Sequence, residues 1–138
     1  MSEKIVRREF LKGLSGLALS RGALPGFAGA ALAGCGESPL PNALAMIYSD
    51  PGAAVIVGRV YLEQFPEEAN VEILVAQIVG NQRSRLRKLA MDQPALLRAL
   101  AELHAADFKE DRLVTVDRWV LSRTEARLCA LAAKARGL

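Results

Sequence analysis

Aromatic residues are scarce in this chain, with four Phe, two Tyr and one Trp among 138 residues. A core with so few rings is filled by Leu, Val, Ile and Ala and stays modest in size. His104 is the only histidine. No spacing of Cys, Asp or Glu around it completes a four-ligand metal set, so a structural zinc site is excluded. The acids Glu110, Asp111 and Asp117 lack the alternating oxygen ligands and central Gly of a Ca²⁺ loop. Cysteine is limited to Cys35 and Cys129. With Cys35 acylated, Cys129 is a lone thiol that needs burial to stay reduced in an oxidising compartment; with Cys35 unmodified, the two could pair in a disulfide. There are no internal repeats and no low-complexity tract.

The stretch that organises the chain is Met1 to Cys35. It carries Arg7-Arg8-Glu9-Phe10-Leu11-Lys12, then an apolar run holding Gly13, Gly16, Gly22, Gly26, Gly29 and Pro25 and interrupted by Arg21. Gly and Pro are poor helix formers, and an Arg at the centre of a membrane span costs about 2.5–3.5 kcal/mol. A stable transmembrane helix is therefore not expected. The run Arg7, Arg8, Phe10, Leu11, Lys12 resembles the signal of twin-arginine (Tat) exported proteins. Leu32-Ala33-Gly34-Cys35 resembles a bacterial lipobox, in which the Cys is acylated and becomes the new N-terminus. The alternative is a simple peptidase site at Ala31-Leu32-Ala33.

These resemblances imply residues 1–34 as a signal peptide and residues 35–42 as a lipidated Cys and flexible tether, rich in Gly and Pro. They leave residues 43–138 as a small helical domain. They also imply the twin-arginine translocase and lipoprotein-processing enzymes as partners. Cys35 would anchor the product on the periplasmic face of a bacterial membrane, each acyl methylene contributing roughly 0.8 kcal/mol.

The overall pI of about 9.1 belongs largely to that signal. Residues 1–34 take five of the 18 basic residues and two of the 15 acidic ones, which leaves thirteen of each beyond them. Nucleic acid is thus not an expected partner. The cluster Arg83, Arg85, Arg87 and Lys88 has no interleaved aromatics for base stacking. It reads either as a solvated helix face or as a surface for anionic headgroups, worth about 1 kcal/mol per charge.

Periodicity predicts a mostly α fold, a small bundle of about four helices with a short β-hairpin before the last helix. Ala43–Tyr48 is one or two helical turns. Asp50-Pro51 starts a helix with Ala54, Val57, Gly58, Tyr61, Leu62 and Phe65 on one buried face, stopped by Pro66. Glu67-Glu68 starts a second, striped by Val71, Leu74, Val75, Ile78 and Val79 and ended at Gly80-Asn81. Arg83–Met91 is a basic, amphipathic turn or two, with Leu86, Leu89 and Ala90 on the apolar side. Asp92-Gln93-Pro94 opens another, lined by Leu96, Leu97, Leu100, Leu103 and His104 and closed by Phe108. Leu113–Val116 and Trp119–Leu121, split by Asp117-Arg118, predict a tight hairpin. Trp119 is expected to anchor it against the helices. Ser122-Arg123-Thr124-Glu125 is a capping box for the last helix, through Ala126, Cys129, Leu131, Ala132 and Ala135.

No residue set points to catalysis, a cofactor or a metal. Cys129 with His104 as its base lacks a Gly-rich elbow and sits in an apolar helix. His104 reads as a partly buried helix histidine with Asp107 one turn on. Arg118, Trp119 and Arg123 are candidate partner-binding residues.

The expected function is therefore a non-catalytic, lipid-anchored accessory or interaction subunit of an exported, possibly cofactor-bearing oxidoreductase complex. In outline it is similar to the small helical subunits of exported flavoprotein sugar dehydrogenases. The alternative is a small stand-alone periplasmic hydrolase using His104 or the acids around the hairpin, and it requires a site that gathers them. A solitary structural lipoprotein is a third reading.

Overall fold

The structure, a computed structural model, describes residues 38–137. The signal-like stretch and Cys35 lie outside the described residues. Pro39–Leu138 forms one compact unit. Among the described residues the order is α1 (Leu40–Ala45), α2 (Gly52–Gln64), a 3-10 turn (Pro66–Glu68), α3 (Val71–Val79), a second 3-10 turn (Gly80–Gln82), α4 (Arg83–Leu89), α5 (Gln93–Lys109), β1 (Leu113–Val116), β2 (Trp119–Ser122) and α6 (Arg123–Lys134). The fold is thus a small, mostly α bundle with an antiparallel hairpin before the last helix. Helices α2, α3, α5 and α6 are its principal rods. None of the described helices is long and apolar enough to cross a membrane.

Side chains mark several of the helix starts. Asn70 Oδ1 accepts the Glu72 and Ile73 N–H groups at 2.7 and 3.1 Å and opens α3. Asp92 Oδ1 takes the Ala95 N–H at 3.0 Å and opens α5. Asp50 Oδ1 accepts from Gly52 N at 3.1 Å ahead of α2. Each satisfies a first-turn donor that has no partner within its own helix.

The core is wrapped around α6, which packs against α1, α2, α3, α5 and both strands. Its residues from Thr124 to Ala133 are buried save Arg127, which is partly covered. Ala126, Cys129, Ala130, Ala132 and Ala133 lose all solvent contact. These small side chains let neighbouring helices approach closely. The limit is reached at Gly58 of α2, where a Cβ would stand 2.1 Å from the Cys129 carbonyl oxygen. Ala54, Cys129 and Ala132 pack together at this crossing with Tyr48 and Val57 against them, and larger side chains fill the main core, where Leu44, Leu74, Leu86, Leu96 and Leu131 are each 2 % exposed or less. Each such Leu contributes about 1.5–3 kcal/mol of transfer free energy.

Three expectations are corrected. Helix α1 begins at Leu40, inside the stretch assigned to the tether. Pro39 is its N-cap and Pro41 sits in its first turn, where a missing N–H costs nothing, and Leu40 is driven into the core at 2 % exposure. Glu67-Glu68 does not start α3. Pro66–Glu68 is a 3-10 turn, and Asn70 with its side-chain oxygen is the better cap. Trp119 does not anchor the hairpin against the helices, for it is 46 % exposed. Its partner in the ladder is Val116, which is itself 1 % exposed; Val114, Val116 and Leu121 are the hairpin residues buried against the bundle, and Trp119 is the corner of that face that reaches solvent.

Candidate functional site

The hairpin has a buried base; at its tip Val116 stays buried while Trp119 and Val120 are half-exposed. The register Val116↔Trp119 leaves Asp117 and Arg118 as a two-residue loop. Both have positive φ, 44° and 68°, the signature of a type I′ turn whose twist matches the paired strands. Asn-Gly would adopt it cheaply. An Arg held left-handed costs roughly 1–2 kcal/mol. Beside this loop, Trp119 and Val120 are 46 % and 47 % exposed.

The base is clamped by polar groups. The Ser122 half of the capping box forms: Ser122 Oγ accepts the Glu125 N–H at 3.0 Å. Asp107 of α5 reaches across as a second cap, its Oδ2 accepting the Thr124 N–H at 2.7 Å. Its Oδ1 accepts from Arg112 Nε at 2.8 Å. Burial pushes the Asp107 carboxyl up, but the Thr124 and Arg112 bonds outweigh it and hold it below its ordinary value. Arg112 also pairs with Glu110.

His104 Nδ1 lies 3.0 Å from Ser122 Oγ and 3.8 Å from Glu125 Oε2. Burial lowers the His104 pKa, opposed by Asp107, which favours the neutral imidazole; which of Nδ1 and the Ser122 hydroxyl donates is set by the ring tautomer. Burial pushes Glu125 up to about 7, opposed by the Ser122 backbone.

This trio resembles a nucleophile, base and acid in composition only. A working triad puts the acid on the ring nitrogen opposite the nucleophile and leaves the hydroxyl open to substrate. Here serine and glutamate share Nδ1, and Ser122 is wholly buried under its cap bond. Cys129 is no better placed. It is a free, fully buried thiol facing the Tyr48 hydroxyl at 3.6 Å, not His104. Burial raises it to about 12, with Tyr48 opposing, so no thiolate is available at neutral pH. Glu110, Asp111 and Asp117 are exposed. No group of His, Cys, Asp and Glu among the described residues could hold a metal ion.

A second polar cluster ties α6 to the turn after α2. Arg127 Nε and Nη2 donate to the two Glu68 oxygens at 2.8 and 2.7 Å, and the Tyr61 hydroxyl donates to Oε2 at 2.7 Å. The Arg127 bond holds Glu68 low against the burial that would raise it. The local sequence carried no sign of this pairing between residues 59 apart. Arg123 belongs here, over the Phe65 ring at 5.0 Å. It stands at the far end of β2 from Arg118 and Trp119, roughly 13 Å along the strand. The candidate trio is therefore split, with Arg118 and Trp119 at the tip and Arg123 at the base. An open groove of about 760 Å³ runs beside the base, lined by Arg112, Arg123, Arg127, Asp107, Glu110 and Asp111 among others. Its charges balance, and Arg112 and Arg127 are already paired.

Comparison with known protein families, with characterised proteins and with solved structures finds no match to this chain.

Proposed function

We propose that this chain is a lipid-anchored, non-catalytic accessory subunit exported by the twin-arginine route, which docks a larger exported enzyme through its hairpin tip. The observation that carries the docking reading is the tip itself. A half-exposed Trp119 and Val120 stand beside an Arg118 held at φ 68° on a two-stranded ribbon with a clamped base. Strained, exposed positions of this kind concentrate where a partner is gripped. Trp and Arg are the side chains that dominate interface energetics. The export and anchoring half rests on Arg7-Arg8-Glu9-Phe10-Leu11-Lys12 and Leu32-Ala33-Gly34-Cys35.

The hydrolase reading has one observation in its favour, the 3.0 Å approach of His104 to Ser122. The buried hydroxyl and the shared ring nitrogen argue for a cap instead. Crosslinked isolation of the chain from membranes, read by mass spectrometry and absorbance, tests the proposal. A stoichiometric larger partner is the expected result, and a chain recovered without any partner removes the docking reading.

A further inference from the structure

We infer that the outer face of α4 is a contact surface for an anionic lipid bilayer. Between Glu72 and Asp92 the chain has no acid at all, and Arg83, Arg85, Arg87 and Lys88 fall within that gap. Leu86 is wholly buried and pins α4 to the bundle, while Arg83, Arg87 and Lys88 are turned to solvent. Arg85 is the one member with an acidic partner, Glu102 at 2.8 Å, and it also bonds Gln82. Arg83, Arg87 and Lys88 make no ion pair with any described residue. At the end of the same segment Met91 is 84 % exposed. Three unpaired cations with a flexible apolar side chain at their edge match a headgroup layer, where cations meet phosphates and a thioether enters the acyl boundary.

The surface in question rests on the reading that Cys35 is acylated. From Cys35 to Leu40 the backbone reaches at most about 18 Å, and a unit of a hundred residues has a radius of gyration of roughly 13 Å. An anchor so short presses the folded unit against its bilayer, and charge decides which face turns inward. A weak surface is enough, because an anchored domain sees lipid at millimolar effective concentration or above. The face would then orient the domain and leave the hairpin tip free for a partner.

The test separates this face from the anchor. The core closes inside Pro39–Leu138, so a processed chain starting at position 35 with Cys35→Ser folds without acylation. Its co-sedimentation is measured with vesicles of phosphatidylcholine alone and of phosphatidylcholine with 30 % phosphatidylglycerol. Three charges predict partition onto the anionic vesicles stronger by roughly a hundredfold. The triple variant Arg83→Glu, Arg87→Glu, Lys88→Glu is expected to lose that advantage while its circular dichroism is unchanged, and Trp119→Ser is expected to keep it. Equal partition onto both vesicles, or an advantage that survives the charge reversal, overturns the inference. Loss on Trp119→Ser would move the contact to the hairpin and overturn it as well. The mass of Cys35 in protein taken from membranes tests the anchor separately.

Discussion

The two ends of the hairpin obey opposite rules. At the base every polar group has a partner: Ser122 and Asp107 cap α6, Arg112 braces Asp107, and His104 lies over Ser122. At the tip, three residues along the ladder, the backbone is left-handed at a residue that dislikes it and the largest side chain in the protein stands half in water. A chain selected for stability alone would place Asn-Gly in that turn and a charged residue at position 119. The base is what folding requires. The tip is what folding tolerates, and so it is where function is sought.

The largest expected effect lies away from both ends of the hairpin, at the crossing of α2 and α6. Gly58→Ala forces a Cβ into the Cys129 carbonyl. Both neighbours are helix backbone, so the two helices must part. A loss of about 3 kcal/mol or more is expected in urea unfolding, a large share of the 5–15 kcal/mol typical of a whole domain. A loss under about 1 kcal/mol would mean that α2 and α6 are not so close.

At the base, Glu125 introduces a pH dependence. Its folded pKa is raised from 4.5 to about 7 by burial. The folded state therefore holds a proton that the unfolded chain releases, and stability falls as pH climbs from about 4.5 to about 7. The full effect above pH 7 is about 3 kcal/mol. Glu125→Gln is expected to raise stability at pH 8, with the gain vanishing towards pH 4.5. His104 and Asp107 face the same cluster with lowered values, so each withdraws stability as pH falls below its unfolded value. Those opposing slopes remain in the variant. Melting the parent and Glu125→Gln at pH 5 and pH 8 checks the sign, and a gain at pH 5 alone would contradict it.

At the tip, Arg118→Gly relieves the left-handed strain. After the entropy that Gly adds to the unfolded chain, a gain of about 0.5–1 kcal/mol is expected. A loss instead would show that Arg118 makes a stabilising contact in the free protein.

Much of the fold was legible in the sequence. The 3.6-residue recurrence from Ala54 to Phe65 and from Val71 to Val79 marked the buried faces of α2 and α3. Asp92 before Pro94 and Ser122 before Glu125 marked their helix starts, and Asp117-Arg118 marked the turn. Each of these signals is local, a period or a cap spanning a few residues. What stayed hidden was the partnering of polar groups across the chain. Glu68 reads as a surface acid until Arg127 closes on it, and Asp107 reads as the neighbour of His104 until it caps Thr124. Gly58 was visible as part of a buried face, but not as the point of closest approach. Trp119 failed for a related reason. Its size suggests burial, and its ladder partner Val116 is buried, but Trp119 itself stands half in water, and no local pattern tells which of two paired residues the helices cover.

The most direct test of the docking tip is a paired measurement on Trp119→Ala: recovery of the larger partner from crosslinked membranes, and the melting of the isolated chain. A docking tip predicts partner recovery lowered tenfold or more, as for a residue at the centre of an interface, with stability changed by about 1 kcal/mol or less. Unchanged partner recovery, or a loss of folding that accounts for the lost partner, would contradict it.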